Sequence, residues 1–173
     1  MARHMVAFLA APSATPFVRG GEMVRFGTLG VPRAASADFA AAASYLCRDP
    51  MMRDIIERAE HEVPGLQLRV NARGDDSYEW RTHCVNWDPH SALRTTDGGT
   101  QSPALGLGHE LDHATAAARL RARGTATSDA CYDNAEERRV ICGSEAHAAR
   151  TLGEGVRHDH AGSVYDVDSP IAR

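Results

Sequence analysis

Pro103-Ala104-Leu105-Gly106-Leu107-Gly108-His109-Glu110-Leu111-Asp112-His113-Ala114 is the stretch from which the rest of the chain is read. Proline suits the first position of a helix, because the N–H it lacks is one the helix leaves unpaired anyway. Leu105, Leu107, Leu111, Ala114, Ala118 and Leu120 then supply an apolar face, which predicts one helix running to a stop at Gly124. Within it His109 and His113 are four residues apart, so they differ by about 40° in azimuth and one turn in height. Both imidazoles leave the same side and can share one Zn²⁺ at about 2.0–2.1 Å. Glu110, offset beside the ion, can take a proton from the attacking water and pass it to a leaving amine. An H-E-x-x-H on an amphipathic helix is the donor pattern of zinc peptidases. Asp112 falls where a solvent-facing or ligand-backing residue is expected, with no catalytic part. The plainer alternative is a pair of surface histidines bonded to Glu110 and Asp112 with no ion between them.

Two imidazoles leave a catalytic zinc short of one protein ligand. The chain offers Glu136, Glu137, Glu145, His147, His158 and His160 downstream. Asn134 is a good N-cap for a helix from Ala135 to about Cys142, with Glu136 and Glu137 in its acidic first turn. If that helix returns antiparallel after a polar loop over 125–133, the acidic pair can reach back to the histidines. Glu137 is favoured as ligand and Glu136 as the acceptor that holds a histidine N–H; a solvated helix start is the competing reading of both. Ser144-Glu145 restarts a helix that Gly153 and Gly155 end after Leu152.

Upstream, Ser36 and Asp38 offer capping chemistry ahead of Phe39, Ala42, Ala43 and Leu46 at helical spacing. Met51, Met52, Ile55, Ile56 and Ala59 mark a second helix stopped by Pro64-Gly65. Leu66, Leu68 and Val70 alternate as in a half-buried strand. Tyr78 to Trp80 and Thr82 to Trp87 could pair as strands, and the stretch from Asp88-Pro89 to Ser102 reads as loop. Residues 1–35, rich in Ala, Gly, Pro and Ser, are expected to be a flexible leader and secretion segment, with short strands at Met23–Phe26 and Thr28–Val31; residues 36–173 would be the catalytic domain.

Helices and strands in separate runs over 173 residues predict a single α+β domain. With 23 acidic and 19 basic residues the net charge is -4, so neither nucleic acid nor an anionic membrane is an expected partner. No apolar run is long enough to span a bilayer. All the basic residues are arginine. A GC-rich genome accounts for that; so does work inside a eukaryotic cell, where lysine is the modifiable cation. Cys47, Cys84, Cys131 and Cys142 form no C-x-x-C pair, and buried free thiols are expected.

Leu107 to Ala114, then Glu136-Glu137-Arg138-Arg139-Val140-Ile141-Cys142-Gly143-Ser144-Glu145, then Leu152-Gly153-Glu154-Gly155-Val156-Arg157 resemble the zinc metallopeptidase effectors of bacterial type III secretion, the NleD, HopH and XopG group. The run Phe39 to Val70 and the element Val85-Asn86-Trp87-Asp88-Pro89 follow that family's order, so the likeness covers roughly residues 36–162. It implies a zincin-like domain, with an active-site helix and a partner helix against a small sheet. It also implies delivery into the host cytosol and cleavage of a host protein, a mitogen-activated protein kinase in the activation loop. A more distant likeness is to clostridial neurotoxin light chains, in which the second Glu of an E-E pair binds zinc; its counterpart is Glu137. Those proteases also set an Arg and a Tyr three residues apart on the oxyanion. Arg157 matches the first, but His160 stands in the tyrosine's place, leaving His160 or Tyr165 as the companion donor. Two other functions stay open: a host-binding protein with structural or absent zinc, and a peptidase toxin delivered between bacteria.

Overall fold

The computed structural model describes residues 21–173, so residues 1–20 of the expected leader lie outside the described residues. The described part of that leader is a hairpin, β1 (Met23–Phe26) paired antiparallel with β2 (Leu29–Pro32). Gly27 turns it with φ +57°, where a side chain would also strike the carbonyl of Glu60. Leu29 and Val31 are fully buried, and the Phe26 ring meets that of Phe39 edge-on at 4.8 Å. The boundary expected at residue 35 is therefore corrected: from residue 21 the chain belongs to the packed domain.

α1 (Ser36–Leu46) and α2 (Pro50–His61) stand where their apolar spacing puts them. α1 has no side-chain cap, since the Ser36 hydroxyl donates to the Arg33 carbonyl instead. Asp49 caps α2, accepting from the N–H of Met51 and of Met52 at 3.0 Å. Phe39, Ala42, Leu46, Met52, Ile55, Ile56 and Ala59 face inward; Met51, expected with them, sits on the outer side of the first turn. β3 (Gln67–Val70) pairs in parallel with β2 and with β5 (Cys84–Trp87), and β4 (Ser77–Glu79) lies antiparallel on the outer edge of β5. The sheet order is β1-β2-β3-β5-β4. Trp87, fully buried, donates its indole N–H to the Pro103 carbonyl at 2.8 Å, which ties this sheet to the next helix.

The segment expected as loop up to Ser102 carries β6 (Ser91–Arg94) and β7 (Thr100–Gln101), which form a second antiparallel sheet with β10 (Ser163–Asp166) in the order β10-β6-β7. α3 (Pro103–Thr115) ends well before Gly124, with Ala116 extended, and α4 (Ala118–Thr125) departs separately. Arg121 donates to the carbonyls of His113 and Ala116, satisfying acceptors that a helix end leaves open. Ala118 and Leu120, expected on one long buried face, are exposed as a result.

The expected polar loop holds a small hairpin, β8 (Ser128–Asp129) and β9 (Asp133–Asn134). α5 (Ala135–Val140) then passes through a wide π-type segment, Ile141–Glu145, into α6 (Ala146–Leu152), which Gly153 ends at φ +72°. Leu105, Leu107 and Leu111 of α3 join Phe39, Leu46, Ile55 and Trp87 in the core, giving a mixed α+β domain with small sheets. Of the thiols only Cys84 is buried; Cys131 and Cys142 are exposed, against expectation, and all four are free. No helix among the described residues is long and apolar enough to cross a membrane.

Candidate metal centre

α3 is anchored at both its start and its middle. Ser102 caps it, and the buried Glu154 carboxylate fixes Ser102, accepting from its N–H at 2.6 Å and its hydroxyl at 2.8 Å, and from the Tyr45 hydroxyl at 2.7 Å. At Gly108 the helix approaches α2 so closely that a Cβ would lie 2.8 Å from Met52 Sδ. Pressed down there, α3 turns His109, Glu110, Asp112 and His113 toward α5 and the π-type segment, and all four are buried.

α5 begins where its sequence says it should. The Asn134 side chain accepts from the N–H of Glu136 at 3.0 Å and of Glu137 at 3.1 Å, setting both carboxylates in the first turn. Gly124 of α4 lets α5 come near, since a Cβ there would be 2.8 Å from Glu136 Cβ. Glu137 meets both imidazoles, with its Oε2 3.0 Å from His109 Nε2 and 3.3 Å from His113 Nε2, while the two Nε2 atoms are 3.0 Å apart. Tetrahedral zinc with bonds of 2.0–2.1 Å sets its ligand atoms about 3.3 Å from one another. His109, His113 and Glu137 thus match in donor type and spacing a group that could hold a metal ion.

Behind each imidazole stands a second carboxylate. Glu136 Oε1 is 3.0 Å from His113 Nδ1, and Glu145 Oε2 is 2.7 Å from His109 Nδ1. An outer ring N–H donated to each carboxylate would leave Nε2 free to face the shared centre. This is the place expected for Glu136; Glu145, also weighed as a ligand, lies on the far side of His109 from Glu137. In an uninterrupted α-helix Glu136 and Glu145 would point about 180° apart. The π-type segment and the non-helical backbone of Gly143 (φ -98°, ψ -106°) bring both against α3.

These carboxylates have their own cations. Arg139 donates to Glu136 at 2.8 Å and Asp112 at 2.9 Å, and Ser144 donates its hydroxyl to Asp112. Asp112 is thus a buried brace between α3 and α5, not a solvent-facing residue. Arg157 donates to Glu145 through Nε at 2.8 Å and a terminal nitrogen at 2.6 Å, and Gln101 donates to the same carboxylate at 2.9 Å. Burial works against the charged forms of Glu136 and Glu145, yet their histidine and arginine bonds hold both carboxyls down to about 2. Burial likewise opposes charge on His109, but the Glu137 and Glu145 bonds raise it to about 10.

Glu110 lies beside the imidazoles, its carboxylate 3.9 Å from His109 Nε2 and its pKa pushed up by burial. It lines two cavities, one of about 140 Å³ shared with Arg157 and one of about 640 Å³ running between Tyr78, Trp80 and α4. His160 lines both; its Nε2 is 3.5 Å from Glu137 Oε2, and its Nδ1 is 2.5 Å from Asp133. The other candidates are elsewhere. His147 bonds Asp49 at 2.6 Å, His158 is exposed near Asp97, and Tyr165 stacks beneath Arg94 on β10. Sequence reasoning missed Gln101, Arg139, Ser144 and Asp76. Arg139 alone carried a local signal, standing three residues after Glu136. No family model matches the chain, and neither does any curated protein or solved structure.

Proposed function

We propose that this chain is a zinc metallopeptidase with a zincin-like domain, an effector that is secreted into host cytosol and cleaves a host protein there. The observation that carries the reading is the convergence of His109 Nε2, His113 Nε2 and a Glu137 oxygen at 3.0–3.3 Å beside a buried glutamate. Zinc held there would polarise the scissile carbonyl and acidify the attacking water. Glu110 takes that water's proton and returns it to the leaving amine nitrogen. Glu136 and Glu145 keep the two imidazoles oriented, and Arg157 holds Glu145 charged while contributing positive potential to the cavity wall. His160, which lines both cavities with its Nε2 3.5 Å from Glu137 Oε2, is the donor we assign to the developing oxyanion. Mitogen-activated protein kinases are the substrate class to try first, on the strength of the resemblance.

Incubating the zinc-loaded protein with host-cell lysate and sequencing new N-termini tests the reading. Glu110→Gln should keep one bound ion per chain and lose cleavage by about 10²–10⁴-fold. A Glu110→Gln variant that retains its full effect in host cells would leave the binding-protein alternative. Growth arrest on expression in bacterial but not eukaryotic cytosol would favour the interbacterial toxin.

A further inference from the structure

Arg139, Arg157 and Arg121 stand around the centre, and the first two grip internal carboxylates in the same way. Arg139 meets Glu136 through Nε at 2.9 Å and Nη2 at 2.8 Å, and Arg157 meets Glu145 through Nε at 2.8 Å and Nη2 at 2.6 Å. In each, the side-by-side N–H groups of the planar guanidinium match both oxygens of a carboxylate. Arg121 is held differently. Its Nη1 donates to the carbonyls of His113 at 3.0 Å and Ala116 at 3.1 Å, and the Tyr78 ring centre lies 5.2 Å from its guanidinium carbon. These contacts fix the half-buried cation in place and in plane. Among the described residues, no acceptor meets its Nε or Nη2 and no carboxylate lies within ion-pair distance of it.

Arg121 lines the groove of about 640 Å³ that Glu110, His113 and Glu137 also line, and its bond to the His113 carbonyl sets it beside the backbone of a metal ligand. Ala118 and Ala122 line the same groove on either side of it, small enough to leave the guanidinium uncovered. α4 has no acidic residue, and Arg119 and Arg123 add positive charge on its exposed side. Of the acids lining the groove, Glu136 is matched by Arg139 and Glu137 by the two imidazoles, which leaves Glu110 and Asp76. We propose that Arg121 is a specificity-determining residue, an anion subsite that grips an acidic side chain of the substrate within about two residues of the scissile bond. The proposal rests on the peptidase reading above. A carboxylate is what the other two arginines grip, and a phosphorylated side chain offers the same paired oxygens. Because the guanidinium is held before substrate arrives, little side-chain freedom is left to lose on binding. A basic side chain would bring like charge to Arg121, and a neutral one would leave the cation unpaired under the bound peptide.

The test gives the zinc-loaded full chain a peptide library prepared from host-cell lysate, and the cut sites should be enriched in nearby acidic residues. In matched peptides carrying Glu or Gln at the enriched position, Glu should exceed Gln in kcat/KM by about 10–100-fold, the worth of a hydrogen-bonded charge. Arg121→Gln should bring that ratio close to one with zinc content unchanged. Were Arg121 only a cap for the end of α3, the variant would slow both peptides alike and keep the ratio. If Arg121→Gln melts early, Ala118→Glu decides: on an exposed position three residues before Arg121, it places a carboxylate within reach of the guanidinium and should erase the same ratio. A parent ratio near one, or a ratio that survives these substitutions, overturns the proposal. A second readout needs no cleavage. N-acetylglutamyl hydroxamate, anchored on the zinc, should bind about 10–100-fold tighter than the glutaminyl hydroxamate by calorimetry, and Arg121→Gln should close that gap. The phosphoseryl hydroxamate in the same series tells phosphate from carboxylate as the preferred anion. The gap in a chain that cuts nothing retires the peptidase reading but not the subsite; cleavage indifferent to acidic residues retires the subsite and leaves the peptidase. Equal affinity for the glutamyl and glutaminyl probes, or none for either, also overturns the proposal.

Discussion

The two faces of α3 are built on opposite principles. One face sets Leu105, Leu107 and Leu111 against α1, α2 and the first sheet, where burial of apolar surface is stabilising and every atom is satisfied by contact. The other buries His109, Glu110, Asp112 and His113 against Glu136, Glu145, Arg139 and Arg157, where desolvation opposes every charge and only specific partners offset it. A helix needs only the first face to fold. Such an expense on the second makes sense where the charges have chemistry to perform.

The largest expected effect falls on the charged face. Glu137→Ala should strip zinc completely, at least as severely as Glu145→Ala or Glu136→Ala, read by metal content after dialysis; the reverse order would refute the assignment of ligand and supporting residues. Next, Leu111→Ala should cost about 2–5 kcal/mol in urea unfolding of the metal-free protein, as a fully buried leucine leaves a cavity. Glu136→Gln should instead weaken zinc binding by about 10–100-fold. Titration with a competing chelator measures this. If Leu111→Ala and Glu136→Gln changed stability and metal affinity in the same proportion, the two faces would not be separable.

Much of this was legible along the chain because the signals are local. The i, i+4 histidines, Asn134 capping Glu136 and Glu137, the alternation at Leu66 and Leu68, and the β4–β5 pair all act within a few residues of one another. What escaped depends on distant partners. β6 is a strand because β10, some seventy residues later, pairs Tyr165 with Ala92. α3 stops at Thr115 without glycine or proline because Arg121 folds back onto its last carbonyls. Glu145 meets His109 only because the helix widens and kinks at Gly143, and a helical wheel drawn through that segment sends the side chain elsewhere. Asp76 has no periodic signal at all, being a loop carboxyl placed by Asp88 and by the space left at Gly106.

The smallest effect tests whether buried charge can also be purely structural. Asp49 is fully buried at the start of α2, capping that helix and accepting from His147 at 2.6 Å. Burial raises its pKa, but the Met52 N–H, Thr151 and His147 bonds outweigh that and hold it below the ordinary value. A carboxyl depressed on folding stabilises the protein fully above its unfolded pKa, about 3.9, and loses that contribution as pH falls through the folded value. Asp49→Ala should therefore cost about 1 kcal/mol at pH 6, with zinc content unchanged. The difference in urea midpoint between parent and Asp49→Asn should narrow between pH 5 and pH 3. A gap that stayed constant over that window would mean the carboxylate's charge adds nothing to the cap. A gap that closed together with loss of zinc would mean that the charged face of α3 extends further than its ligands and their partners.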